Sequence, residues 1–384
     1  MARKTSLAWL QLTRKKMRLF VALAGIGFAD ILMFMQMGFN ESLFESAVSF
    51  YKNLDGDIAL INPRSTSVVD MKTFSQRTLY KSLGLNGVKS VNPVYFGFTS
   101  WRNLQNRQVH NIFIVGVNPN NNVLKIPDIE HNIDKISLLD VVLFDRGSRK
   151  EFGDIVDDFN QGKQITTEVG NRRVKVGGVF ELGTSFAING TIATSDLTFL
   201  RIFKNRQSGL IDIGMISLEP GADKKIVLEQ LRKYLPKSVK VLSKEELFEF
   251  EKDYWHSSTP LGFIFGLGIA IGFFVGTVIV YQILYTEVSD HLPEYATLKA
   301  MGYTNNYLLF VILREALILA ILGYIPGFGF AIFQYNLARQ ITLLPMIMTI
   351  DIASKVLILT VLMCSISGAI AVRKLQSADP ADIF

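Results

Sequence analysis

The sequence predicts a membrane protein with four transmembrane α-helices, one followed later by three, and a large α+β extracytoplasmic domain inserted after the first helix. Three observations carry this. The 384 residues are 49% hydrophobic and only 19% charged, with mean hydropathy +0.28, an apolar excess unusual in a soluble chain. The excess is gathered into four runs, residues 19–39, 261–285, 307–333 and 355–372, each near the ~20 residues that cross a hydrocarbon core. A polar stretch, residues 40–260, separates the first run from the second and is long enough to bury its own core.

The first run follows a basic segment, residues 1–18, holding Arg3, Lys4, Arg14, Lys15, Lys16 and Arg18. Secretory signals also begin with basic residues, but their apolar region is roughly 7–15 residues long. This run is longer and no small-residue cleavage pattern follows it, so it reads as an uncleaved anchor. The same basic cluster supplies much of the net charge of +6. It reads as a topology signal rather than a nucleic-acid surface. With the N-terminus inside, the cytoplasm also receives Lys299, Arg373 and Lys374, while the short outer loop, residues 334–354, holds only Arg339. The expected topology has both termini (1–18 and 373–384) and the link 286–306 cytoplasmic, and residues 40–260 outside.

Within residues 40–260, segments 57–61 and 109–117 have the β-branched content and flanking turns of strands. Residues 74–83 read as a helix closed by Gly84. Segments 213–218, 224–234 and 239–242 read as strand, helix and strand. These suggest two βαβ-like halves. A strand-rich stretch between them, at 141–144, 173–179 and 190–193, reads as an inserted β lobe.

Catalytic and metal motifs are absent from the sequence. There is no G-x-x-x-x-G-K-[ST] phosphate loop, no H-E-x-x-H, no C-x-x-C and no G-x-S-x-G. The single cysteine, Cys364, excludes an intrachain disulfide. His110, His131, His256 and His291 lack ligand spacing. No cofactor and no enzymatic activity are expected of this chain.

The second run repeats small residues four apart: Gly262 and Gly266, then Gly268, Gly272 and Gly276. That spacing lets membrane helices approach closely. It predicts an interface, within one chain or between two copies. Asp30, Arg314 and Glu315 place charges inside the runs, where each costs roughly 2.5–3.5 kcal/mol at a span centre. Arg314 can extend toward the cytoplasmic surface, whereas Asp30 and Glu315 must face protein or water. Pro326, with Gly323, Gly327 and Gly329, marks either a packed kink or a flexing point in the third run.

The link 286–306 holds a short helix. Pro293 suits a first helical turn, Glu294 lies near its positive end, and Gly302 suits its C-terminal cap. Such a helix either takes force from a cytoplasmic partner or merely connects two spans.

The stretch Pro293-Glu294-Tyr295-Ala296-Thr297-Leu298-Lys299-Ala300-Met301-Gly302-Tyr303 resembles the coupling helix of the MacB/FtsX-like ABC-transporter permeases, whose pattern is close to R-E-I-G-I-L-R-A-L-G-A. Glu315-Ala316-Leu317 resembles their membrane E-A-h-h-L (h apolar), and Asp379-Pro380 their C-terminal D-P. Pro293 departs from the usual basic residue. The resemblance implies ATPase contact through Glu294, Leu298, Lys299, Met301 and Gly302, with ATP bound by a separate ABC ATPase subunit. It further implies a homodimer in the inner membrane, a periplasmic membrane-fusion adaptor, a TolC-like outer-membrane channel, and lipid or amphiphilic cargo moved by mechanotransmission. Tyr254-Trp255, residues 259–265 and residues 180–186 are similar to a glycolipid-exporting subgroup. The alternative is an FtsX-type regulator of a periplasmic partner that moves no cargo.

Overall fold

The computed structural model describes residues 16–376 apart from 122, 295, 296 and 298–300. The chain clusters into two compact units. Leu43–Thr259 with Leu343–Pro345 form one, and the described parts of the flanking helical segments form the other.

Helix α1 runs unbroken over Lys16–Lys52, well past the end of its apolar run. Its last turns explain why: Leu43, Phe44, Ala47, Val48, Phe50 and Tyr51 recur at helical spacing and are all buried. Asn40, Glu41 and Ser42 resemble a boundary in sequence, yet none of them breaks a helix, and the next glycine is Gly56. The boundary expected at residue 40 is therefore not a break in secondary structure.

The inserted domain continues with β1 (Ile58–Ile61), β2 (Phe74–Ser75), α2 (Gln76–Lys81), β3 (Val88–Arg102) and β4 (Val109–Val117). Short helices α3 (Pro127–His131) and α4 (Ile133–Ile136) lead to β5 (Val141–Asp145), α5 (Ile155–Asn160), β6 (Thr166–Val169), β7 (Arg172–Phe180) and β8 (Thr191–Ser195). Then come α6 (Asp196–Ile202), β9 (Leu210–Ile211), β10 (Ile213–Leu218), α7 (Lys224–Tyr234), β11 (Lys240–Ser243) and α8 (Lys244–Ser257).

All strands except β2 and β9 join one sheet, ordered β11–β1–β10–β3–β4–β8–β5–β7–β6. The strands of β1–α2–β3 flank β10, and those of β10–α7–β11 flank β1, with each adjacent pair antiparallel. The two βαβ-like halves thus interlock, as in split βαβ folds. Residues of β1 alternate between two cores. Ile58 and Leu60 pack with Leu79 and Leu231; Ala59 and Ile61 pack with Phe50 and Leu247. Burial on both faces accounts for its unbroken apolar sequence.

Strand β3 serves two lobes. Its first half pairs with β10, and its second half, Val94–Arg102, pairs with β4. The strands from β3 round to β6 then close on themselves. Trp101 bridges Val169, the Gly170 N–H donates to the Ser100 carbonyl at 2.7 Å, and Thr167 Oγ1 donates to the Arg102 carbonyl at 2.6 Å. The strand-rich middle is a small closed barrel filled by Trp101, Phe144 and Phe152, and the Trp101 indole donates to the Phe152 carbonyl at 3.1 Å.

The helix expected over 74–83 is shorter. Phe74 and Ser75 pair with Ile211 and Leu210, and the Gln76 N–H donates to the Gly209 carbonyl. Local propensity loses here to a pairing with residues far along the chain. Caps fix two other helices. Asp223 accepts from Lys225 and Ile226 N–H to start α7, and Ser243 with Glu246 forms a reciprocal capping box on α8.

The second unit contains the inner part of α1 with α9 (Leu261–Asp290), α10 (Asn305–Thr342) and α11 (Ile350–Gln376). Among the described residues four helices are long and apolar enough to cross a membrane, one before the inserted domain and three after it. Polar bonds cross-link this bundle. Tyr335 donates to the Phe34 carbonyl at 2.5 Å, Tyr324 to the Ala353 carbonyl at 2.9 Å, and Ser367 to the Thr277 carbonyl at 2.8 Å. In an apolar medium such bonds are the available polar ties between helices.

Candidate functional site

The link between α9 and α10 carries the predicted coupling residues. Leu298 and Lys299 lie outside the described residues. Pro293, Glu294 and Thr297 are helical; Thr297 Oγ1 donates to the Pro293 carbonyl at 2.9 Å and the Met301 N–H to the Thr297 carbonyl at 3.0 Å. Gly302 follows at φ +95°, the left-handed conformation that ends a helix and that a glycine adopts without strain. Glu294 and Met301 are exposed, as are Thr297 and Tyr303, so the described part of this segment presents acidic, polar and apolar side chains to its surroundings.

A chain of polar side chains leads from Glu294 into the bundle. His291 Nδ1 lies 3.0 Å from Glu294, and its Nε2 lies 3.4 Å from Glu287. Arg18 of α1 reaches Asp290 at 2.5 Å and Glu287 at 3.4 Å. Glu287, Arg18 and Glu315 line one small pocket together with Leu19, Ala22 and Leu319. Glu315 is fully buried and, among the described residues, neither of its carboxylate oxygens has a hydrogen-bond partner. Neighbouring Arg314 is exposed and stacks over Phe310, 5.3 Å from the ring centroid. The two adjacent charges therefore have separate surroundings.

Asp30 is also fully buried. It accepts from Thr360 Oγ1 of α11 at 2.6 Å, while its other oxygen has no partner among the described residues. It sits at a glycine seam between α1 and α10, where a Cβ on Gly327 would lie 3.0 Å from that of Asp30 and 3.2 Å from the Cα of Gly27. The spacing Gly323-x-x-x-Gly327 was the available signal for this seam, and sequence reasoning read it only as a kink. Pro326 lies inside α10, which continues as helix through it.

The glycines of α9 divide. A Cβ on Gly268 would meet Gln36 at 2.4 Å, one on Gly272 would meet Met33 at 3.2 Å, and one on Gly276 would meet Met363 at 2.1 Å and Ala29 at 2.7 Å. These three bring α9 against α1, and Gly276 also against α11. Gly262 is half-buried. Gly266 is exposed with nothing near its missing Cβ, so the expected interface does not include it within this chain.

Sequence reasoning missed Glu251 in the inserted domain. This fully buried carboxylate on α8 accepts from Tyr51 Oη at 3.0 Å, from the Val68 N–H at 2.8 Å and from Trp255 Nε1 at 2.8 Å. Burial pushes it up to about 7 against those three donors. Lys252–Glu45 at 2.9 Å and the stacked Phe44–His256 pair tie the same two helices. The signal was an acid set among Phe248, Phe250, Tyr254 and Trp255. The segment 180–186 is held by Asp145, which accepts from the backbone of Gly147, Leu182 and Gly183. Phe186 then packs edge-on against Trp255 at 5.6 Å.

One helix before a large α/β domain and three after it, with a glycine-capped link and buried carboxylates in the bundle, define a polytopic membrane protein with an inserted extramembrane domain. Residues 260–380, which take in α9, α10 and α11, match the FtsX-like permease C-terminal family. A comparison with curated protein sequences finds no match. Among solved structures the chain is similar to the periplasmic region of MacB from Actinobacillus actinomycetemcomitans, at 12% identity and TM-score 0.35, covering 52% of this chain and 94% of that one. It is also similar to the extracellular domain of the noncanonic ABC-type transporter YknZ from Gram-positive bacteria, at 13% identity and TM-score 0.32, covering 48% and 98%. A domain of a putative permease from Porphyromonas gingivalis gives 13% identity and TM-score 0.31, covering 50% and 89%.

Proposed function

We propose that this chain is the permease subunit of an ABC-type exporter of the MacB/FtsX-like kind, driven by a separate ATPase subunit. The observation that carries the reading is the match of residues 260–380 to the FtsX-like permease C-terminal family. The exposed Glu294 and Met301 of the capped link are the proposed ATPase contacts, with Leu298 and Lys299. The chain His291–Glu287–Arg18 supports a route by which movement of that link is felt by α1. Two copies form the working permease. Both termini face the cytoplasm, in keeping with the basic N-terminus. The inserted domain lies in the periplasm and docks a membrane-fusion adaptor leading to a TolC-like channel.

In this reading the work is mechanical. ATP-driven closure moves the spans, and the two segments that enter the domain from them, the end of α1 and α8, move it in turn. The cargo is an amphiphile collected outside the membrane. The segments 180–186 and 259–265 resemble DevC, the cyanobacterial permease linked to glycolipid export, which makes glycolipid the proposed cargo.

Co-purification of the tagged chain from native membranes tests the proposal. Recovery of an ABC ATPase with a periplasmic adaptor is expected, and Gly302→Pro should insert normally yet lose transport. An ATPase recovered with a cell-wall hydrolase and no adaptor would replace the exporter by a regulator. Protease added from the periplasmic side should cut the inserted domain; protection there would overturn the topology.

A further inference from the structure

The barrel lobe of the inserted domain contains a groove of about 370 Å³ against β5 and β7, within the range of small-molecule sites. Its polar groups are mainly cations from three separate elements: Lys135 on α4, Lys163 on the loop after α5, and Lys175 on β7. Lys163 pairs with Asp158 at 2.6 Å, whereas Lys135 and Lys175 have no ion-pair partner among the described residues. Asp140, next to the groove wall, is already engaged by Arg172 and Arg201. Carbon surface from Leu138, Val141, Phe159 and Val176 makes up most of the remaining lining. Gly177 leaves that floor clear: a Cβ there would lie 2.6 Å from Val141 and 3.6 Å from the Cβ of Lys135. Leu138, which lines the groove, is 61% exposed, a large apolar side chain in the same lining as the two lysines that lack an ion-pair partner among the described residues.

We propose that this groove binds an anionic amphiphile, with its acidic head among Lys135, Lys163 and Lys175 and its hydrocarbon chain along Leu138, Phe159 and Val176. Charge complementarity selects the anion, and the apolar floor selects the chain. An acidic peptide would answer the ammonium groups but leave the carbon floor and Leu138 uncovered. The inference names a cargo class for the exporter reading but does not rest on it. Binding needs neither ATPase nor transport, so either can fail alone.

The test uses the full chain in nanodiscs of zwitterionic phosphatidylcholine. The probes are a diazirine-bearing palmitate and its methyl ester, with labelled peptides mapped by mass spectrometry. The free acid should label peptides covering residues 133–141 and 155–177, and the ester should not. The triple variant K135A/K163A/K175A, which changes only exposed side chains, should retain the wild-type melting temperature and lose labelling by about tenfold, as for about 1.4 kcal/mol of binding. Equal labelling by acid and ester would reduce the groove to apolar adsorption and overturn the proposal. So would full labelling of the triple variant. Displacement of the probe by polyglutamate but not by unlabelled palmitate would assign the groove to an acidic protein segment instead.

Discussion

Glu251 shows how a single buried charge can organise the inserted domain. Its two oxygens accept from Tyr51, Val68 and Trp255, which join α1, the loop after β1 and α8. Replacing Glu251 by Ala leaves two buried donors and one half-buried donor without acceptors and should destabilise the domain by about 2–4 kcal/mol. The intrinsic fluorescence of Trp255 gives a direct melting readout. Burial raises this carboxyl from its ordinary 4.5 to about 7, and raises Asp212 to about 6 in spite of Arg206. A raised acid favours folding most below its ordinary value, and that contribution is lost as pH climbs through the folded value. Stability should therefore fall between pH 4.5 and 7, and Glu251→Gln should flatten that slope; an unchanged slope would remove Glu251 as its source. Reading the sequence alone found Arg314 and Glu315 as neighbouring charges. It separated their expected surroundings, Arg314 toward the cytoplasmic surface and Glu315 toward protein or water, as suits adjacent helical residues that point about 100° apart, but the packing alone shows that Glu315 is fully buried.

At the scale of elements, glycine spacing announced an interface on α9 without saying which glycines form it. Gly272 and Gly276 share a buried stripe with Val280, Leu284 and Val288. Gly266 is exposed. Gly276→Ala should destabilise the bundle by roughly 1–3 kcal/mol through overpacking against Ala29 and Met363, whereas Gly266→Ala should change it by less than about 0.5 kcal/mol. Thermal inactivation of the two variants in detergent compares them directly, and equal losses would contradict the packing described. The length of α1 was legible only to residue 39, where hydropathy ends; the amphipathic turns that follow are stabilised by a core that no local pattern reveals. The barrel closure was hidden for a similar reason, since Trp101 and Val169 meet only after the strands between them have paired.

For the whole molecule, the one-plus-three arrangement around an α+β insert was legible because hydropathy over ~20 residues is a strong signal and because strands such as β10 and helices such as α7 carry their own period and caps. Interlocking of the βαβ halves was not, since strand order depends on pairing rather than on sequence order. Partner surfaces are likewise encoded by exposure, which the sequence does not print. The central claim, that a separate ATPase engages the link between α9 and α10, is tested most directly by site-directed cross-linking. The only native cysteine, Cys364, is buried, so Met301→Cys supplies an accessible thiol in the link and Ile350→Cys, 89% exposed at the start of α11, supplies a control. The account predicts an adduct between Met301→Cys and an ATPase subunit in native membranes, and none from Ile350→Cys. An ATPase adduct from the control alone, or no ATPase adduct from either, would contradict it.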